Sequence, residues 1–177
     1  VHVSSWRRVD DSAMPARGKV NGTYVNSALV KSDAMLSGFD DALVLNQDGH
    51  VAEGSAANFM MVRDGVVITP PITSNILEGI TRRTLIELIR EELMIEVVER
   101  EIDRSELYIC DEAFYCGTGA QVTPISEISP PCDDVYAPNS PCRTSSTARA
   151  ISPPSELPPT TARGTCSAAS RSSTKRA

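Results

Sequence analysis

The sequence predicts a mixed α/β fold, and three observations support this prediction. Residues 81–93 repeat apolar side chains at helical spacing, with charged side chains mostly on the opposite face. Two pairs of short apolar segments flank the turn sequences NQDG (46–49) and RDG (63–65), as the strands of β-hairpins do. No apolar run approaches the length of a membrane span. We therefore expect a small antiparallel sheet and at least one helix on the surface of a core.

The first forty residues predict one helix and little other regular structure. Residues 1–15 are expected to be irregular, because Pro15 disfavours helix in the residue before it. Residues 23–25 favour a short strand, and residues 27–36 favour an amphipathic helix that stops at Ser37-Gly38. The remaining predicted elements are strands at 41–45, 51–52, 58–62, 66–69, 95–100 and 112–116, and a segment with a capped start at 103–108. Residues 122–125 are expected to close the ordered part of the chain.

Charge divides the 177 residues into two parts. Residues 1–128 hold 11 Lys and Arg against 20 Asp and Glu, a net charge of −9, whereas residues 129–177 carry +3. Non-specific nucleic-acid binding needs clustered cations, so the acidic part argues against it. The N-terminus lacks the apolar segment of a signal peptide, and a cytoplasmic location is expected. The opening Trp6-Arg7-Arg8 suggests that further residues precede this chain.

Residues 129–177 differ in composition from everything before them. They contain eight Pro, ten Ser, six Thr and three Cys, with few large apolar side chains. Such a segment buries too little apolar surface to offset the entropy of ordering it. The composition predicts either a disordered Pro/Ser/Thr-rich tail or a segment read out of frame from GC-rich DNA, and we favour the second.

No metal site is predicted from the cysteines and histidines of the acidic part. Cys110 and Cys116 form neither a metal-ligand pattern nor a disulfide framework, and they are expected to be reduced thiols. His2 and His50 have no second ligand at metal-binding spacing. His50 follows the turn of the first predicted hairpin and is expected to be a solvated strand residue.

Two segments place an amine and a carboxylate on predicted turns. In ARGKVNGTY (16–24), Lys19 lies in a glycine-rich turn. In LNQDGHVAEGS (45–55), Glu53 opens a loop of small residues. About one β-α-β length separates the two residues, so a single pocket could lie between their side chains.

Two glycine-rich sequences further along the chain suit an anion. LEGIT (77–81) opens the long predicted helix, whose first N–H groups have no partner within the helix, and CGTGAQVTP (116–124) can form a second nest of N–H groups. Either sequence alone is a common turn or helix cap. Together with the two earlier segments and Asn58-Phe59, they resemble the fold-type IV (class IV) pyridoxal-phosphate aminotransferases, and most closely the branched-chain amino acid aminotransferases.

The resemblance implies a role for each matching residue. Lys19 matches the lysine that holds pyridoxal 5′-phosphate as a Schiff base and then acts as general base. Tyr24 matches the tyrosine that hydrogen-bonds the phenolic oxygen, and Glu53 matches the acid that keeps the pyridine nitrogen protonated. The other implied cofactor-binding residues are Asn58, Leu77, Gly79, Ile80, Thr81, Gly117 and Thr118, and the implied substrate contacts are Gly119 and Ala120.

The resemblance covers about residues 3–128 and implies a fold for them. Residues 1–128 would be the large C-terminal, cofactor-binding domain of these enzymes, a mixed-sheet pseudo-barrel with peripheral helices. The family's small N-terminal domain, which supplies a phosphate-binding arginine and much of the substrate pocket, has no counterpart here. The elements that finish the domain after residue 128 are also missing. Ala57 and Glu78 replace a commonly polar residue and a commonly occurring proline, and we expect both changes to be tolerated.

The implied activity is transfer of the amino group of Leu, Ile or Val to 2-oxoglutarate by a ping-pong mechanism. The sequence CGTGAQVTP favours the branched-chain group. D-amino-acid aminotransferase and aminodeoxychorismate lyase, which share the fold and the lysine, are alternatives. A different class of alternative is an inactive, truncated remnant. Family members form homodimers or larger assemblies, so a homo-oligomer of the complete protein is expected, without nucleic-acid or membrane partners.

Overall fold

Each of the two helices in the described part of the chain packs on the outer face of a different β-sheet. The computed structural model describes residues 1–129. The smaller sheet contains β1 (His2–Arg7), β2 (Ala42–Leu45) and β3 (Val51–Gly54). The larger sheet contains β4 (Asn58–Arg63), β5 (Val66–Thr69), β6 (Val97–Glu99), β7 (Glu112–Gly117) and β8 (Gln121–Pro124). The helices are α1 (Thr23–Leu36) and α2 (Ile80–Glu91).

Both sheets mix parallel and antiparallel pairing, which confirms the mixed α/β prediction. The strand order of the larger sheet is β6-β5-β4-β7-β8. In this sheet β5 pairs in parallel with β6, and in the smaller sheet β1 pairs in parallel with β2. Parallel neighbours need a crossover connection, and α1 and α2 are the helices of these two crossovers. Each crossover therefore places its helix on a sheet face.

The core lies between the two sheets, and strand alternation explains why. Along β2, Leu43 and Leu45 face this shared core, whereas Ala42 and Val44 face α1. Alternate residues of β4 divide in the same way between the shared core and α2. Each fully buried large apolar side chain contributes roughly 1.5–3 kcal/mol to folding.

Both predicted hairpins are confirmed, with β2 antiparallel to β3 and β4 antiparallel to β5. In the second turn, Asp64 and Gly65 have φ values of 53° and 77°, the left-handed backbone that tight hairpin turns require. The hairpins do not form one small sheet as predicted, because β3 ends at Gly54 and β4 pairs with β7 instead. A pairing of strands so far apart in sequence leaves no local signal.

Two predictions for the first part of the chain are wrong. Residues 2–7 form β1 rather than irregular structure, because they pair with β2 across 40 residues of sequence. Residues 23–25 are the first turn of α1 rather than a strand. The buried face of α1 runs through Thr23, Ser27, Val30 and Ala34 at helical spacing, so packing on β2 overrides the strand preference of a Thr-Tyr-Val sequence.

The later elements follow the prediction. The long helix is α2, which begins one residue before the predicted start and ends at Glu91. Asp103 and Glu106 form the predicted capped start of a short 3₁₀ helix, with both reciprocal hydrogen bonds present. No helix within residues 1–129 is long and apolar enough to cross a bilayer.

The predicted tail lies outside the described residues except at its first position. Ser129 is buried, and it forms backbone hydrogen bonds with Val1 and with Val3 of β1. Its pairing with His2 extends the smaller sheet by one bridge. The described structure therefore includes one residue of the predicted tail.

Candidate active site

A cavity of about 340 Å³ gathers the predicted site residues and is lined by six separate segments. These are the residue after β1, the 3₁₀ turn that ends at Lys19, the start of α1, the end of β3 with its connection to β4, the start of α2 with the residues before it, and the end of β7 with the residues after it. Its lining includes every predicted site residue except Ala120: Lys19, Tyr24, Glu53, Asn58, Leu77, Gly79, Ile80, Thr81, Gly117, Thr118 and Gly119. Its volume lies in the usual range of small-molecule sites.

Glu53 forms a buried wall of this cavity. The residue is 5% exposed, and its Oε1 accepts from Arg8 Nη2 at 2.7 Å. Its Oε2 accepts from Asn58 Nδ2 and from the backbone N–H of Leu77, both at 3.2 Å. Burial raises the pKa of Glu53 to about 7, against the lowering by the Arg8 charge and by the Leu77 N–H. Both oxygens of this acid are thus held in place.

Arg8 is a site residue that the sequence analysis missed. It follows β1, it is buried, and its Nε donates to the backbone oxygen of Asn75 at 2.9 Å. Because the sequence predicts irregular structure for residues 1–15, nothing in it directs attention to one arginine of the Arg7-Arg8 pair. One argument could have indicated Arg8: a buried carboxylate is costly unless a cation is buried beside it, so a buried Glu53 predicts a buried Lys or Arg partner.

Asn58 joins the Glu53 wall to the start of α2. Its Nδ2 also donates to the backbone oxygen of Leu77 at 2.8 Å. A Cβ added to Gly79 would lie 2.2 Å from Asn58 Oδ1, so no larger residue fits there without displacing the amide. A Cβ added to Gly54 would likewise lie 2.7 Å from the buried ring of Tyr115. These two glycines permit the backbone to approach the Asn58 amide and the Tyr115 ring closely.

Lys19 forms a different kind of wall. It is exposed, it follows the 3₁₀ turn Ala16–Gly18, and its φ is 49°, in the left-handed region. A non-glycine residue in that region costs about 1–2 kcal/mol, and such outliers cluster at functional sites. Tyr24 lies on the first turn of α1 and is 37% exposed. Among residues 1–129, neither the Lys19 ammonium nor the Tyr24 hydroxyl has a hydrogen-bond partner.

The glycine-rich segments form the third part of the site, which we call the anion cup and define as residues 79–81 and 117–119. Gly79 precedes α2 without any side-chain cap, so the first N–H groups of the helix are available to an anion. Gly117 ends β7 beside them. Both halves of the cup line the same cavity.

The residues present fit pyridoxal 5′-phosphate. The cavity offers an amine for the aldehyde, a fully bonded buried acid for the ring nitrogen, and uncapped N–H groups for the phosphate. Leu77 and Ile80 offer apolar contacts for a ring. The nearby Cys116 thiol is not a competing nucleophile, because burial raises its pKa to about 11.

A second cluster, which sequence spacing did not reveal, lies outside this cavity. His50 Nδ1 lies 3.2 Å from Asp48, and its Nε2 lies 3.4 Å from Asp103 and 3.9 Å from Glu101. The hydrogen bond to Asp48 raises the pKa of His50. Asp48, His50 and Glu101 could together hold a metal ion, but exposed groups of this kind are common without one.

Comparison with known proteins identifies the family of this chain. The family described as amino-transferase class IV matches residues 1–128. A protein of Aquifex aeolicus named "probable branched-chain-amino-acid aminotransferase" is 56% identical over 126 residues, which are 71% of this chain and 40% of the relative. The branched-chain-amino-acid aminotransferase of Escherichia coli is 42% identical over the same length, with the same coverage.

Solved structures show the same relationship. The branched-chain amino acid aminotransferase of Thermobaculum terrenum in its PLP form matches with a TM-score of 0.71 and 51% identity, over 72% of this chain and 41% of that one. The T.th. branched-chain amino acid aminotransferase, complexed with N-(5′-phosphopyridoxyl)-L-glutamate, matches with a TM-score of 0.69 and 47% identity, over 72% and 42%. The chain spans about 40% of the length of such relatives, and it belongs to the class IV aminotransferase family.

Proposed function

We propose that the protein transfers amino groups from branched-chain L-amino acids to 2-oxoglutarate with pyridoxal 5′-phosphate, and that Lys19 is its catalytic lysine. One observation carries the proposal: eleven of the twelve residues implied by the family motifs line a single cavity. The phosphopyridoxyl-glutamate bound to the T.th. relative supports the choice of cofactor and of a glutamate-derived co-substrate.

When bound, pyridoxal phosphate supplies an electron sink for the electron pair left at the substrate α-carbon. Lys19 Nζ would hold the cofactor at its aldehyde, and as a free amine the same nitrogen would accept and return the α-proton of the substrate. The exposure of Lys19 suits this double task, because an unpartnered amine is free to move between the two positions. Tyr24 would donate a hydrogen bond from its hydroxyl group to the phenolic oxygen.

Glu53 holds the proton on the ring nitrogen. Its raised pKa means that a carboxylate at this position needs positive partners to remain charged at neutral pH. Arg8 is one such partner, and a protonated ring nitrogen is the second. The backbone N–H groups of the anion cup would bind the phosphate, except that of Gly79, which donates to the backbone oxygen of Leu77 at 2.8 Å. Gly119 and Ala120 would contact the substrate.

The incomplete length of the chain gives a second candidate. Residues 1–128 are proposed to be the large domain of the family, with the two sheets forming its pseudo-barrel. The match covers 40% of the Aquifex aeolicus relative, and we propose that the small domain lies in the part that this chain does not cover. Selectivity between L- and D-amino acids, or for aminodeoxychorismate, depends largely on that small domain. The chain alone is therefore either the cofactor-binding part of a homo-oligomeric enzyme or an inactive remnant of one.

Cofactor attachment distinguishes these two candidates. The purified chain is mixed with pyridoxal phosphate, reduced with borohydride and digested, and the modified peptide is identified by mass spectrometry. We expect one modified lysine, Lys19, and no modification in Lys19→Ala. Modification of Lys31 at the same level as Lys19 would contradict the assignment, since Lys31 is a lysine of the described chain that does not line the cavity.

Substrate choice requires the upstream residues. The chain extended by the corresponding N-terminal part of the Aquifex aeolicus relative is assayed with L-Leu and with D-Ala, each with 2-oxoglutarate. We expect activity with L-Leu that is lost in Lys19→Ala. Activity with D-Ala alone would replace the proposed substrate class and keep the proposed cofactor.

A further inference from the structure

Arg82 of α2 has an enclosed side chain. It is 5% exposed, whereas the side chain of the adjacent Arg83 is exposed to solvent. Burying a guanidinium is costly unless it is paired and hydrogen-bonded. A buried arginine one residue beyond the first half of the anion cup therefore requires a physical account.

The hydrogen bonds of Arg82 join the start of α2 to the larger sheet. Its Nη2 donates to the backbone oxygen of Pro70 and to Glu99 Oε2, both at 2.8 Å. Pro70 directly follows β5, and Glu99 is the last residue of β6. Thr69 and Glu99 face each other in the parallel pair of these strands. One nitrogen thus ties the first helical turn to the ends of two neighbouring strands.

Arg82 also lies beside the second half of the anion cup. The end of β7 packs against α2 through Cys116, and the positive charge of Arg82 opposes the burial that raises the pKa of the Cys116 thiol. Cys116 immediately precedes Gly117. Cys116 also belongs to the apolar cluster that packs Ile86 and Ile89 of α2 on the sheet. Both halves of the anion cup therefore adjoin the contact between α2, which contains Arg82, and the larger sheet.

We propose that Arg82 is a positioning residue that holds the two halves of the anion cup at the separation a phosphate group requires. It does not line the cavity, and it acts through the backbone of residues 79–81. N–H groups held in place before binding lose little entropy when the anion arrives. The inference rests on the proposed function, because it takes the cup to receive the cofactor phosphate.

A second ligand site is a weaker explanation for the same residue. Arg82 Nε has no hydrogen-bond partner among the described residues, and Arg82 lines another cavity of about 290 Å³. Three arginines and three glutamates of the described chain line that cavity, so their charges cancel and favour neither an anion nor a cation. The paired Nη2 atom, in contrast, has two specific acceptors.

The test compares binding of pyridoxal phosphate with binding of pyridoxal, which lacks the phosphate. The full chain is titrated with each compound as wild type, Arg82→Lys, Glu99→Gln and the matched control Arg83→Lys. We expect Arg82→Lys to weaken pyridoxal phosphate binding about tenfold, the effect of one charged hydrogen bond, and Glu99→Gln to weaken it less. Pyridoxal binding should stay within about twofold of wild type in all variants, since it does not use the cup.

Three results would overturn the inference. Equal losses of pyridoxal and pyridoxal phosphate binding in Arg82→Lys would show a general structural role. Unchanged pyridoxal phosphate binding in both Arg82→Lys and Glu99→Gln would show that the anion cup does not depend on the hydrogen bonds of Arg82 to Pro70 and Glu99. Equal affinity of the wild type for both compounds would show that the phosphate is not held, while borohydride labelling of Lys19 would still support the proposed function. If Arg82→Lys does not fold, Glu99→Gln against Arg83→Lys decides the matter.

Discussion

The Glu53 wall of the cavity is buried and cross-linked, whereas the Lys19 wall is exposed and its reactive side chains have no partner among the described residues. Glu53 is held by Arg8, by Asn58 and by the backbone of Leu77. The difference matches the two proposed tasks. An acid that keeps a ring nitrogen protonated must retain one position and one charge, whereas a lysine that first anchors the cofactor and then moves a proton must be free to move.

The largest expected effect is on the buried wall. Arg8→Met leaves the Glu53 carboxylate buried without its cation, and we expect the free energy of unfolding to fall by about 3–5 kcal/mol at pH 8. The loss should be smaller at pH 6, because Glu53 can then take up a proton. Urea unfolding of the full chain at both pH values measures this difference.

Two further variants serve as controls for Arg8. Arg7→Met removes the neighbouring exposed arginine and should change stability by less than about 0.5 kcal/mol. Adding Glu53→Gln to Arg8→Met should recover much of the lost stability, because no charge then remains buried without a partner. If Arg8→Met lowers the free energy of unfolding equally at pH 6 and pH 8, the assignment of Arg8 and Glu53 as an ion pair at pH 8 is contradicted.

The next effect is the pH dependence that Glu53 itself confers. The folded pKa of about 7 lies above the ordinary value of 4.5, so between these values the folded state keeps a proton that the unfolded state has released. The stability that the folded state gains by keeping this proton is fully present below pH 4.5. It is lost as pH rises through 7, by on the order of 3 kcal/mol in total. Urea unfolding of wild type and Glu53→Gln from pH 5 to pH 8 measures it.

Only the difference between these two proteins is informative, because other carboxyl groups titrate as well. Arg100 lowers the pKa of Glu106 to about 2, so that group changes stability below the range tested. We expect the stability of wild type relative to Glu53→Gln to decrease steadily as pH rises. A constant difference across the range would mean that Glu53 is charged throughout.

The smallest effect is expected on the exposed wall. Lys19→Ala removes a side chain without partners among the described residues, so the free energy of unfolding should change by less than about 0.5 kcal/mol. Tyr24→Phe, which removes only a hydroxyl, should behave in the same way. Thermal and urea unfolding measure both variants. A loss above about 2 kcal/mol in Lys19→Ala would show that this wall is held as firmly as the other.

The site could be found from the sequence only where its parts are local. Lys19 and Glu53 each lie within a short, specific motif, and the hairpin beside Glu53 has a turn sequence that predicts it. Arg8 has no such motif, because its role depends on a carboxylate 45 positions further along the chain. Thr23 illustrates the same limit, since its local preference for a strand yields to the packing of α1 on β2.

The amino-acid sequence by itself determined the mixed α/β class, both hairpins, the long helix and the motifs of the family, because each depends on the chemistry of neighbouring residues. Only the tertiary structure decided that the hairpins belong to separate sheets, that Arg8 meets Glu53, and that Arg82 ties α2 to β5 and β6. These contacts join residues far apart in the chain. They form because buried charges and strand edges must find partners, wherever in the sequence those partners lie.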